Sequence, residues 1–390
     1  MNGTHAIAST SKPTTSGWRV PFVRPDLPAF DDVEPVFRRV FASGMLTKGE
    51  SLVELEAAAR HLTGAADVVA VSSCTVGLAL GLKALGHMQG DPRRREVIVP
   101  SFTFLAGPAA IEWAGFEPVF VESDAHSWTV NAADVAAAIS PRTAAILACH
   151  TFGCPCDVVG LEALAESMGI PLMIDAAHGL GTQISGRQVG AEGFAQVFSL
   201  SPTKLVVAGE GGLVATSSLE FAAALRRLRE YGNDGDYSCS LAGLNGRLPE
   251  LSAALGHASL ERLPEVVARR RAAAHAYLDA LRGTPGLGFQ AIAPHAASSW
   301  KDFSITIDPD AFGIGRDAVR AHLAAQGIDA RAYYSPPCHR MPAFSRYHQP
   351  ARRLAATDSL AACSLSLPMG AHVTPPVARA VAACVLEARS

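Results

Sequence analysis

Phe198-Ser199-Leu200-Ser201-Pro202-Thr203-Lys204, closed by Gly209-Glu210-Gly211-Gly212, is the stretch on which the reading turns. Its lysine follows hydroxyls and a proline, just past the apolar residues Ala195, Val197 and Phe198. Upstream, Met173-Ile174-Asp175-Ala176-Ala177-His178 places an acid at the end of a second apolar run. A lysine amine can join an aldehyde cofactor as a Schiff base. A carboxylate facing a pyridine nitrogen keeps that nitrogen protonated, so the ring accepts electrons. An acid, then a serine and a lysine, each after a short apolar run, points to pyridoxal phosphate chemistry.

Outward from these two runs the pattern repeats. The short apolar run Asp67 to Ser72 is followed by strand-like Glu96 to Pro100, Glu117 to Val121, Thr143 to Cys149, Pro171 to Ile174, Gln196 to Leu200 and Gly212 to Thr216. Between them, Thr75 to Gly86, Phe104 to Trp113, Asn131 to Ile139 and Val158 to Met168 read as helices. This alternation predicts an α/β fold with a mostly parallel seven-stranded sheet covered by helices on both faces. Ligands of such sheets sit outside the carboxyl ends of the strands. Asp175, Ser199 and Lys204 all fall at or just after strand ends.

Past Ala215 the pattern changes. Leu219 to Arg229 reads as an amphipathic helix, and Pro249 to Leu281 as long helical sequence whose Arg269-Arg270-Arg271 reads first as a solvated face, with phosphate binding as the minor reading. Ser304 to Ile307 and Ile328 to Tyr333 read as strands around a helix over Arg316 to Gln326. Pro376 to Ala388 reads as a last helix, with proline in its first turn. The division expected is a flexible tail over 1–18, a large cofactor-binding α/β domain over 19–255, and a long helix with a smaller C-terminal α/β domain over 256–390.

Bulk properties bound the function. The 390 residues suffice for a large core, and 49% hydrophobic with 18% charged residues places the chain among soluble globular proteins. A net charge of −3 gives no reason to expect nucleic acid or an anionic membrane as partner. No apolar run has the length of a membrane span. Met1 to Gly17 lacks the apolar core of a secretory signal. Eight scattered cysteines suit a reducing cytosol, so a cytoplasmic location is expected. Cys149-His150-Thr151-Phe152-Gly153-Cys154-Pro155-Cys156 has zinc-type ligands without zinc-type spacing, and it reads as a strand end entering a turn, with no metal assigned.

Val71-Ser72-Ser73-Cys74-Thr75 lies between a strand and a helix, where unpartnered amides suit a phosphate. An ordinary N-cap looks the same; the acid and lysine downstream give the turn its meaning. An aromatic of Pro100-Ser101-Phe102-Thr103-Phe104 could stack on a pyridine ring, although either ring alone reads first as core. His178, three residues past Asp175, reads as a partner of the acid or ring, or as a plain helix-terminal histidine.

Taken in order, these motifs resemble the DegT/DnrJ/EryC1/StrS family of sugar aminotransferases, which are fold type I pyridoxal phosphate enzymes. The resemblance runs from about Ser43 to the C-terminus. It includes Gly44-Met45-Leu46-Thr47-Lys48-Gly49, Gly243-Leu244-Asn245-Gly246-Arg247, Tyr334-Ser335-Pro336-Pro337-Cys338-His339 and Leu365-Ser366-Leu367-Pro368. It implies that Lys204 holds pyridoxal phosphate covalently, Asp175 pairs with its ring nitrogen, Phe104 stacks on the ring and His178 lies beside it. Cys74, Thr75 and Ser199 would hold the phosphate, with Asn245 reaching it from the partner of a homodimer with shared active sites. Thr47, Tyr334 and His339 are candidate substrate residues. Two departures stand out: Cys74 where the family often has Gly, which only a positive φ would demand, and Leu200 where an aromatic is usual. The expected reaction passes an amino group from L-glutamate to a nucleotide-linked keto-6-deoxysugar. A free cyclitol ketone as acceptor and a 3-amino-5-hydroxybenzoate synthase are the alternatives. A sugar dehydratase would carry histidine in place of Lys204. A non-catalytic regulator would carry a damaged lysine motif or a fused DNA-binding domain.

Overall fold

The computed structural model describes residues 17–347 and 353–389, so the expected tail lies, but for its last two residues, outside them. Seven short strands form the main sheet: β1 (Asp67–Val71), β2 (Glu96–Pro100), β3 (Glu117–Val121), β4 (Thr143–Cys149), β5 (Leu172–Asp175), β6 (Ala195–Ser199) and β7 (Gly212–Thr216). Their order is β1-β7-β6-β5-β4-β2-β3. β7 runs antiparallel to both neighbours, β1 and β6, and the pairs among β6, β5, β4, β2 and β3 are parallel. The strands are near-continuous apolar runs because both faces are covered. Alternate residues serve opposite cores: Val68, Ile146 and Ile174 join one, and Val69, Leu147 and Met173 the other.

Beyond β7 the chain builds a second core. Helix Leu263–Leu281 packs against helix Pro375–Glu387 through Tyr277, Leu281, Val381 and Val385. A three-stranded antiparallel sheet of β8 (Leu287–Phe289), β9 (Phe303–Ile307) and β10 (Ser364–Leu367) shares that core.

Three expectations need correction. Pro249 to Leu281 is two helices, Glu250–Glu261 and Leu263–Leu281, broken at Arg262. Ile328 to Tyr333 is not a strand; Ile328 and Arg331 make isolated bridges to Val20 and Ser366. The arginine triplet is not a solvated face. Arg270 is 3% exposed and donates to the Lys301 carbonyl at 2.8 Å, Arg271 donates to Ser298 and Gly181 carbonyls, and Arg269 pairs with Asp26.

Helix Glu50–Thr63 starts at Gly49, which has no side chain to cap it. Glu250 does so from another helix. It is 1% exposed, and its carboxylate accepts the N–H groups of Gly49, Ser51 and Leu52 at 2.8, 2.9 and 3.2 Å. An anion here meets the positive end of the helix.

Candidate active site

The carboxyl ends of β5 and β6 open on a cavity of about 420 Å³. Asp175 ends β5 and is buried; its Oδ1 accepts the Ala177 N–H at 3.0 Å. Oδ2 accepts no hydrogen bond among the described residues, so an acceptor at the cavity remains for a ligand. Burial pushes this carboxyl above its usual range, and the Ala177 N–H and the charge of Lys204 pull it back. Lys204 sits in the turn after β6, where its N–H donates to the Ser201 carbonyl. Its side chain lines the same cavity and makes no ion pair or hydrogen bond among the described residues. Ser199, the last residue of β6, lines it too.

The helix over Cys74–Gln89 points its start at this cavity. Ser73 caps it, accepting the Val76 N–H at 3.2 Å. The Cys74 and Thr75 N–H groups precede the first helical hydrogen bond and remain to be satisfied. Gly212 passes so close that a Cβ on it would lie 2.7 Å from the Cys74 nitrogen. The glycine is needed for this approach, and its own φ is not left-handed. Cys74 also avoids the left-handed region, so its departure from the family's glycine carries no strain. Its thiol donates to the Val197 carbonyl at 3.5 Å, and burial, with Asp175 next, keeps it neutral. Leu200, the second departure, is fully buried in the core.

His178 is buried, and its Nδ1 accepts the Phe152 N–H at 3.1 Å. Burial, then the charges of Lys204 and Lys301, hold it well below the usual histidine range. A neutral ring with Nδ1 as acceptor carries its proton on Nε2. Phe104 is 53% exposed on the cavity wall, its ring 6.4 Å from that of Tyr334.

The structure thus brings Cys74, Thr75, Phe104, Asp175, His178, Ser199, Lys204 and Tyr334 to one cavity. It does not bring Thr47, His339 or Asn245 there. Thr47 bridges to Pro249, and Asn245 is exposed in a bridge to Glu230. His339 is 2% exposed, with Nδ1 2.6 Å from the Ser101 hydroxyl and Nε2 3.2 Å from Asp358. Its place is structural, tying the turn after β2 to helix Ala355–Cys363. Sequence reasoning missed Lys301, Asp302 and Tyr333, which complete the wall. The Cys149–Cys156 segment is the expected strand end and turn: Cys149 closes β4, a 3₁₀ turn follows, and His150 Nδ1 accepts the Cys156 N–H. Among the described residues no helix is long and apolar enough to cross a membrane.

The donor set fits pyridoxal phosphate. It offers an unpaired amine, a buried carboxylate with an open oxygen, a helix start that a glycine lets another strand approach, and an exposed aromatic ring. The family model described as the DegT/DnrJ/EryC1/StrS aminotransferase family matches residues 31–386. The dTDP-3-amino-3,4,6-trideoxy-α-D-glucose transaminase of Streptomyces venezuelae is 36% identical over 95% of this chain and 96% of its own length. The erythromycin biosynthesis sensory transduction protein EryC1 of Saccharopolyspora erythraea is 37% identical over 88% of this chain and 91% of its own. A crystal structure of DesI in the presence of its TDP-sugar product superposes with a TM-score of 0.88 at 35% identity, covering 97% of this chain and 95% of that one. With motif order, sheet topology and cavity in agreement, this chain belongs to the DegT/DnrJ/EryC1/StrS aminotransferase family of fold type I pyridoxal phosphate enzymes.

Proposed function

We propose that this aminotransferase moves an amino group from L-glutamate to a nucleotide-linked keto sugar, and that two copies share their active sites. The observation that carries the reading is the single cavity uniting Lys204, Asp175 and the start of helix Cys74–Gln89. The names of the relatives, a dTDP-amino-sugar transaminase and a protein with a TDP-sugar product, support the acceptor class.

Bound there, pyridoxal phosphate supplies an aldehyde carbon that amines join and a ring that takes up electrons. The Cys74 and Thr75 N–H groups and the Ser199 hydroxyl bind the phosphate. Asp175 holds a proton on the ring nitrogen, and its burial makes that charge-assisted contact strong. Phe104 covers the ring and shields it from water. Lys204, free of ion pairs among the described residues, would hold the cofactor through its amine, and that amine, when freed, would take the proton from the donor's α-carbon and return it to the cofactor's aldehyde-derived carbon. His178 offers its Nε2–H beside the ring. Asn245, exposed and outside its own chain's cavity, reaches the phosphate in the other subunit's site. The exposed Met45, Leu46, Phe104 and Leu105 fit burial against a second copy.

The test is an absorbance spectrum of the purified enzyme. Its visible cofactor band gives way to a near-ultraviolet band on adding L-glutamate and returns with a nucleotide-linked keto sugar. A band indifferent to L-glutamate refutes that donor. A band that stays bleached with every keto sugar refutes the acceptor class. Lys204→Ala abolishes both changes.

A further inference from the structure

The cavity wall holds a charge pair with no part in the roles above. Lys301 and Asp302 are 4% and 1% exposed, and the ammonium donates to both carboxylate oxygens at 2.8 and 2.9 Å. Burial lowers the ammonium to about 8, against the pull of Asp302. Taking two charges out of water is costly, and apolar residues would fill the same volume at no such cost. The segment is also fixed in place. The Ser299 hydroxyl donates to the His178 carbonyl at 2.8 Å, its N–H donates to Thr182, and the buried Arg270 donates to the Lys301 carbonyl. The pair is therefore bolted to the turn that follows Asp175.

We infer that Lys301 and Asp302 together read a ring hydroxyl of the acceptor sugar, beside the carbon that gains nitrogen; this rests on the sugar-acceptor reading. The ammonium has three hydrogens and spends two on Asp302, while the carboxylate keeps lone pairs unused. The neutral pair thus presents a donor and an acceptor side by side, and a hydroxyl donates and accepts at once. An anion such as the amino donor's carboxylate would meet the Asp302 charge in the same contact. Lys204 lines the same cavity and its charge acts on Lys301, which puts the pair in the neighbourhood of the reacting carbon and its flanking hydroxyls.

The experiment runs the sugar half-reaction backwards on the holoenzyme and follows the loss of the visible band. The probes are three dTDP-linked 3-amino-6-deoxyhexoses: one with hydroxyls on carbons 2 and 4, one lacking the first and one lacking the second. Wild type is expected to react about 100-fold faster, at limiting sugar, with the full probe than with one of the two deoxy probes, because a missing hydroxyl leaves the pair unpartnered. Lys301→Met combined with Asp302→Leu, which replaces the pair by apolar groups of similar size, is expected to erase that preference; Asp302→Asn serves as a second variant judged on the same ratio. Equal wild-type rates on all three probes overturn the inference. So does a preference that survives in the variants, or a loss that is equal for all probes and for L-glutamate, the mark of a merely structural pair. If wild type responds to L-glutamate but neither to these amino sugars nor to dTDP-linked 4-amino-6-deoxyhexoses, the acceptor reading falls first and the inference falls with it.

Discussion

Asp175 shows how much a single carboxylate depends on where a strand stops. One residue earlier it would be core; at the end of β5 one oxygen takes a backbone N–H and the other faces the cavity. Asp175→Asn keeps the shape and removes the charge. We expect kcat to fall about 100-fold or more, the size of effect seen when a preorganised charge contact is lost, while the cofactor stays bound. Stopped-flow half-reactions with L-glutamate check this, and a loss under fivefold would refute the pairing. Asp175 and Lys204 were legible in the sequence because the acid ends one apolar run and the lysine follows another after a turn of hydroxyls and a proline. Lys301, Asp302 and Arg270 were not. Neighbouring opposite charges, or three arginines in a row, look the same whether solvated or buried, and only tertiary packing shows that Arg270 turns inward to hold the 300–301 backbone.

At the scale of elements, the join between β7 and helix Cys74–Gln89 leaves no room for a side chain at Gly212. Gly212→Ala places a methyl group against the Ser73–Cys74 backbone, which cannot move aside without shifting the first helical amides. We expect a roughly 5- to 150-fold weaker hold on pyridoxal phosphate, since overpacking of this kind costs about 1–3 kcal/mol; cofactor release followed by gel filtration measures it. Strands were legible because sheets covered on both faces are built of apolar runs. Helix Glu50–Thr63 has no local start signal, as its cap comes from Glu250, about 200 residues away in the chain. Ile328 to Tyr333 looks like a strand in composition but finds only single bridging partners at Val20 and Ser366.

For the molecule as a whole, alternation announced a parallel sheet but not its order or the reversal of β7, because hydrophobic periodicity carries no information on which strands pair. Subunit sharing belongs to this scale as well. Mixing Lys204→Ala with Asn245→Asp, each inactive alone, should restore roughly a quarter of wild-type activity if random two-fold dimers place Asn245 in the opposite subunit's site. No recovery after denaturation and joint refolding would refute that placement. The sheet order has one more consequence, for biosynthesis. β1 has β7 as its neighbour, with Asp67 paired to Thr216. A nascent chain emerging from the ribosome has the Ser73–Thr75 turn long before it has the strand that packs against it. β2 to β6 can pair as they are made, but β1 must wait without a strand partner until β7, beyond the lysine segment, has been synthesised, and the cavity is complete only then.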